Sequence, residues 1–195
     1  MHPSVKVVGV PLERRGGVAL ESIEHLAATA MNYVSAFDMR TAVFYGHSMG
    51  GLVAFELCRQ LIKDRRELPL KVILGGSAAP GSLPPDAGHL TTSSTLRELP
   101  QYIRDRTAAG VARSRAYAPP KQPIPVSLDL IHGVRDDLVS LSAMVAWEEY
   151  CAQSPRYHQV NGDHLFHRTS TEEFMSVLRG LIPGTVARPG RVAMS

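Results

Sequence analysis

Apolar and polar positions alternate along the chain in two periods, one suited to strands and one to helices. Val5-Lys6-Val7-Val8-Gly9-Val10 is a short β-branched run ending at Pro11, and it predicts a buried strand. Gly16-Gly17 breaks the chain after it. From Ser22 to Phe37, Ile23, Leu26, Ala27, Ala30, Met31 and Val34 recur at helical spacing, with Ser22 as N-cap. Thr41 to Tyr45 predicts the next strand, which runs directly into Gly46-His47-Ser48-Met49-Gly50-Gly51. From Leu52 the pattern is helical again and ends near Lys63 to Arg66, where positive charge suits the negative end of the helix dipole. Leu70 to Gly76 predicts another strand.

Ser77 to Pro100 is rich in Ser, Pro, Gly and Thr and predicts loop. Pro100 to Ala112 fits one short amphipathic helix, and Ala118 to Pro125 is a Pro-rich connector. Val126 to His132 predicts a strand, followed by the turn Gly133-Val134-Arg135-Asp136-Asp137. Ser140 or Ser142 opens a helix with Met144, Val145, Trp147 and Tyr150. Arg156 to Val160 is a short strand, Asn161 to His164 a turn, and Thr171 to Ile182 the last helix. Strand and helix alternate, so the expected architecture is α/β: a mainly parallel sheet with helices on both faces. The expected layout is one domain over residues 1–182, with a lid-like insertion at about 81–122 and a disordered tail over 183–195.

Composition narrows the class. The 195 residues are 44% hydrophobic and 20% charged, enough apolar material for a core without disulfides. Cys58 and Cys151 fall in stretches that read as helix and form no CxxC pair, so they are expected to be buried free thiols, with no zinc site. No apolar run approaches the ~20 residues of a membrane span, and the N-terminus lacks a secretory pattern, so a cytoplasmic protein is expected. The net charge is +3. Arginines gather at Lys63-Asp64-Arg65-Arg66, at Arg104 and Arg106, and at Arg113 and Arg115. They read first as solvated surface and second as a docking face for an acidic partner. No RNP motif or zinc finger accompanies them, which argues against nucleic acid.

Gly46-His47-Ser48-Met49-Gly50 is a Gly-x-Ser-x-Gly pattern. Alone it is a weak signal, but an apolar strand precedes it and a helical pattern follows without a gap. A sharp strand-to-helix turn would project the Ser48 hydroxyl above the carboxyl edge of the sheet, with glycines two residues to either side allowing close packing. The Met49 backbone N–H would then face an oxyanion beside the positive end of a helix. No GxxxxGK[ST] or GxGxxG supports a nucleotide site.

A serine hydroxyl needs a base, and on this type of elbow an acid and then a histidine follow in chain order. Asp136 and Asp137 both stand at a strand end, and their positions alone favour neither. Among the downstream histidines, His89 precedes the acids, while His132 and His158 fall inside strand patterns. His164 follows a strand and a turn and is the expected base, with His167 as fallback.

The stretch Gly46 to Leu57 resembles the elbow of the type II thioesterases that accompany nonribosomal peptide and polyketide synthases. Val7 to Leu12 resembles the strand leading to that family's Pro-Gly-Arg turn. Gly133 to Ser140, with Trp147 beyond, resembles its acid loop, and Val160 to Phe166 its Pro-Gly-Gly-His-Phe-Phe segment. The likeness spans roughly residues 5–182 and is weakest between 81 and 120. It implies an α/β-hydrolase fold with Ser48 as nucleophile, Asp136 as acid and His164 as base. It also implies hydrolysis of acyl groups from the phosphopantetheine arm of an acyl or peptidyl carrier protein, with no cofactor and no metal. Carrier proteins are acidic, which gives the arginines weight as a docking surface.

The chain departs from the family in three places. A Phe-Pro-x-Ala-Gly-like loop that supplies a second oxyanion N–H has no counterpart, leaving Met49 as the one identifiable donor; losing one donor costs ~10²–10³ in rate. The Pro-Gly-Arg turn becomes Pro11-Leu12-Glu13-Arg14. The lid region has room for little more than one helix. Two further readings follow: a non-catalytic carrier-protein binder that keeps the three residues, and a general carboxylesterase or lipase on the same fold.

Overall fold

The computed structural model describes residues 5–12, 22–84 and 93–183. Helix α1 (Ile23–Val34) is capped by the Ser22 side chain, which accepts from the His25 N–H. Strand β1 (Val43–His47) leads through Ser48 into α2 (Met49–Lys63), and β2 (Lys71–Gly75) follows. The chain then leaves the sheet through α3 (Ser94–Arg97) and α4 (Gln101–Ala116), and returns as β3 (Ser127–Gly133). After it come α5 (Leu141–Val145), a 3-10 turn (Ala146–Tyr150), β4 (Arg156–Val160), α6 (Phe166–Thr169) and α7 (Thr171–Leu181).

The four strands lie in the order β1-β2-β3-β4, and every pairing is parallel. Side chains alternate across the sheet. Val72, Leu74, Leu128 and Leu130 face one way and pack with α1, α2 and α5. Ile73, Ile131 and Val160 face the other way and pack with Phe166 and with Phe174 of α7. Central strands β2 and β3 are therefore buried on both faces, which is why β2 reads as an unbroken apolar run from Val72 to Leu74, while in β3 buried Asp129 and His132 interrupt the run. Trp147 is wholly buried, stacks edge-on with Phe55 of α2 and donates through Nε1 to the Ser77 carbonyl at 2.8 Å. That contact ties the segment after β3 to the loop after β2.

One polar cluster interrupts the second face, at the amino-terminal ends of the strands. Asp129 is fully buried and accepts from Lys71 of β2 at 2.9 Å, from Arg156 of β4 at 2.9 and 2.7 Å, and from His158 at 2.8 Å. Burial alone would raise its pKa. The bonds from Arg156, Lys71 and His158 outweigh this and bring it down to about 2.

The expected alternation holds, with corrections. Residues 5–10 form no strand: Val7 is 89% exposed, and only Val10 and Leu12 pack partly against the core. β-propensity is realised only through pairing and burial, and among the described residues no strand pairs with this run. Helix α2 starts at Met49, not Leu52, and α4 runs on to Ala116. The short helices α3 and α6 were not expected; one turn carries too little periodicity to read. Cys58 is a buried free thiol, but Cys151 is half-buried and lies beyond the 3-10 turn in a bridge to Ile124. The Gly16-Gly17 break, Glu13-Arg14, His89, part of the 81–122 insertion and residues 184–195 lie outside the described residues.

Candidate active site

Ser48 sits at the carboxyl end of β1 with φ 52° and ψ −125°, a backbone conformation that costs a non-glycine residue ~1–3 kcal/mol. Its own N–H donates to the Gly75 carbonyl at 2.8 Å, so the parallel ladder holds the bend. A side chain at position 46 would overlap the Gly50 backbone. Gly50 itself has open space where a Cβ would be. The second glycine packed tight is Gly51, against Ser77. The sequence reading of two flanking glycines is thus right for Gly46 and displaced by one residue for the other.

The structure brings together three residues from three strand ends. Ser48 Oγ lies 3.1 Å from His164 Nε2, and His164 Nδ1 lies 2.8 Å from Asp136 Oδ2. The Asp136 side chain is fully buried and that of His164 is 4% exposed. The other Asp136 oxygen accepts from the backbone N–H groups of Leu138 and Val139, each at 2.9 Å. These bonds fix the orientation of the carboxyl group, which can accept from Nδ1–H and leave Nε2 facing Ser48 to take its proton. Such an arrangement can activate a hydroxyl for attack on an acyl carbon.

Asp137 goes elsewhere. It accepts from the Ser93 hydroxyl at 2.9 Å, the Ser94 N–H at 2.7 Å and the Ser94 hydroxyl at 2.9 Å, at the start of α3. Burial would raise its pKa, but these bonds prevail and lower it. His167 lies against His47 with ring centres 4.3 Å apart, away from the serine bond. His132 meets the Val139 carbonyl, and His158 belongs to the Asp129 cluster.

Met49 opens α2, so its N–H is among the first four, which have no acceptor within the helix. Beside it lies a small, largely apolar cavity. Ser48, Leu52, Ala78 and Leu138 form its base, and Leu83, Thr107, Val111 and Ser114 close it from above. The space is about 20 Å³, room for about one water molecule. Positions 107, 111 and 114 share one face of α4, a helical spacing visible in the sequence but too polar to stand out.

Gly76 escaped the sequence reading. Its φ is +50°, and a Cβ there would lie 3.2 Å from Asp136 Oδ2 and 3.3 Å from His164 Nδ1. The only signal was a glycine doublet at the end of β2.

The model of a family described as Thioesterase domain matches residues 1–182. Linear gramicidin dehydrogenase LgrE of Brevibacillus parabrevis is 26% identical over 167 residues, which are 73% of this chain. The chain spans 63% of that relative's length. Among solved structures, RedJ, a thioesterase from the prodiginine pathway of Streptomyces coelicolor, superposes with a TM-score of 0.66. It is 24% identical, over 80% of this chain and 69% of its own. YbtT, a type II thioesterase from the yersiniabactin NRPS/PKS pathway, gives 0.63 at 23% identity over 85% and 76%. These superpositions establish the α/β-hydrolase type of fold. Among the described residues no helix is long and apolar enough to cross a membrane.

Proposed function

The chain belongs to the thioesterase domain family, and from that premise we propose that it hydrolyses acyl thioesters, with Ser48 as nucleophile, His164 as base and Asp136 as the group that orients it. The observation that carries this reading is the unbroken chain of contacts from Ser48 through His164 to Asp136, at 3.1 and 2.8 Å. Ser48 Oγ attacks the thioester carbonyl carbon as its proton passes to His164 Nε2. The tetrahedral oxyanion is met by the Met49 N–H at the positive end of α2. Collapse breaks the C–S bond, and the imidazolium returns the proton to the leaving sulfur. Water then attacks the acyl-serine ester, gives a proton to His164 and releases the acid, and Ser48 takes the proton back.

The substrate in this reading is an acyl group on the phosphopantetheine arm of an acyl or peptidyl carrier protein, removed as an editing step in nonribosomal peptide or polyketide synthesis. The pathways named for RedJ and YbtT support it. Arg104, Arg106, Arg113 and Arg115 all lie on α4, the helix that also closes the cavity; Arg104 and Arg115 share one side of it and Arg106 and Arg113 the other, so an acidic carrier could meet either pair close to Ser48. Carrier proteins of this kind work in the cytoplasm, where we place the chain. Room for about one water does not admit an acyl chain, so α4 acts as a lid that must shift on binding.

The test is release of acetyl and longer acyl groups from loaded carrier protein by the wild type and by Ser48→Ala. The variant should lose about 10⁴-fold or more in turnover. Retained turnover would end the reading. Faster turnover of free p-nitrophenyl esters would favour a general carboxylesterase. Failure of Ser48 to react with a fluorophosphonate would favour a non-catalytic carrier binder.

A further inference from the structure

His47 fills the variable position before the serine, yet it does not line the cavity. Its Nε2 lies 2.8 Å from the backbone carbonyl oxygen of His164. A carbonyl oxygen only accepts, so Nε2 carries the proton. Nδ1 lies 3.2 Å from the Tyr45 hydroxyl. In a neutral ring protonated at Nε2, Nδ1 accepts, and Tyr45 therefore donates.

The surroundings favour this single state. Tyr45 and His47 are two residues apart on β1 and so share a face. Gly75 lies opposite His47 in the register, and a Cβ there would crowd both the Tyr45 hydroxyl and His47 Nδ1. The rings of His164, Phe166 and His167 have their centres 5.1, 5.1 and 4.3 Å from that of His47. Burial, and then the neighbouring imidazoles of His164 and His167, push the His47 pKa well below the ordinary histidine value. Burial also raises the pKa of Tyr45, which keeps its donor proton.

We propose that His47 is a positioning residue: its Nε2–H bond to the His164 carbonyl, in the tautomer that this carbonyl selects and the Tyr45 hydroxyl satisfies at Nδ1, fixes the main chain of the base so that His164 Nε2 stays within reach of Ser48. The residue next to the nucleophile thus holds the base, which comes from 117 residues further along the chain. Its neutrality matters as well. His164 becomes a cation when it takes the serine proton, and an uncharged neighbour does not oppose that charge. The inference rests on the assignment of Ser48 and His164 given above.

The experiment compares wild type, His47→Gln, His47→Leu, Tyr45→Phe and Ser48→Ala on an acyl-pantetheine thioester, with melting curves for each. Displacing the base by a fraction of an ångström to 1 Å costs about 10²-fold, so His47→Leu should lose that much in kcat with little change in KM. His47→Gln, which keeps a neutral donor at a similar reach, should recover most of the loss, and Tyr45→Phe should fall between. Nitrogen-15 imidazole spectra of the wild type should show His47 neutral and protonated at Nε2. Equal loss in the Leu and Gln variants would mean packing alone and overturn the proposal, as would an Nδ1–H tautomer or full activity in His47→Leu. Should His47→Leu not fold, the Gln variant and the spectra decide. Full activity in Ser48→Ala would remove the nucleophile assignment itself. A dead Ser48→Ala beside an unimpaired His47→Leu would remove only the positioning role.

Discussion

Below the cavity, Asp136 and His164 are almost wholly buried and bonded on both sides, Asp136 to backbone N–H groups and His164, and His164 to Asp136 and Ser48. Above it, α4 buries only Val111 and Ser114 among its 16 residues. At one end α4 is anchored by buried Tyr117, which donates to Glu56 of α2. Toward the other end, the chain is fastened by the bonds from Ser93 and Ser94 to Asp137. The two regions differ in what their positions cost to change. Moving the floor breaks a parallel sheet and buried hydrogen bonds, whereas lifting the cover about its buried Tyr117 anchor exposes little apolar surface and breaks the few partly exposed bonds to Asp137. Asp136 and Asp137 are adjacent in sequence, and one serves each region.

The sharpest way to break this comparison is at the base. His164→Ala should lose about 10⁴-fold or more in turnover, like Ser48→Ala, while His167→Ala keeps most of it. Equal loss in both histidine variants, measured on loaded carrier protein, would mean that the floor is not organised around the Ser48 contact.

Next comes the far end of the sheet. Asp129→Ala leaves Lys71 and Arg156 without their buried partner and should destabilise the fold by about 3–5 kcal/mol, read by urea melts. The acid dependence has a defined sign. The Asp129 pKa is lowered on folding, so its stabilisation is complete above the unfolded value near 3.8. It is lost as pH falls toward about 2. The loss should amount to about 2 kcal/mol across that window, and it should vanish in the variant.

Gly76→Ala tests how tight the floor is. The new methyl would press on Asp136 and His164 at a positive φ, so turnover should fall about 10²-fold, with a stability cost of only about 1–2 kcal/mol. Activity near that of the wild type would show that the three residues tolerate displacement.

The smallest effect belongs to the cover. Asp137→Ala removes three accepted bonds at the start of α3 and should speed hydrogen exchange in residues 94–116 by about tenfold. Exchange in β2 and β3 should not change. Equal acceleration in the strands would mean that cover and floor open together.

The order of strands and helices was legible because parallel strands buried on both faces leave apolar runs, and helices packed on them leave a 3.6-residue period. The Gly-x-Ser-x-Gly bend was legible for the same reason, since it joins one pattern to the other. The choice between Asp136 and Asp137 was legible only through the family resemblance, because neighbours in a turn differ only in where the turn points them. His47, Tyr45 and Gly76 were missed as parts of the site. Their roles depend on atoms from β2 and from the loop after β4, far away in the chain.

Sequence by itself determined the class of fold, the serine at the bend and the supply of histidines and aspartates after it. Periodicity and turn chemistry are local, so they survive in the order of residues. Position after a strand and turn pointed to His164, and the family resemblance to Asp136; the tertiary structure decided how closely they meet Ser48, what fixes each of them, and that a polar helix closes the cavity. Those outcomes are set by register between strands and by the space that glycines leave, quantities that exist only once the sheet has formed. The same holds for residues 5–10, whose β-branched pattern promises a strand. A strand is made by its neighbour as much as by its own side chains, and here no neighbour pairs with it among the described residues.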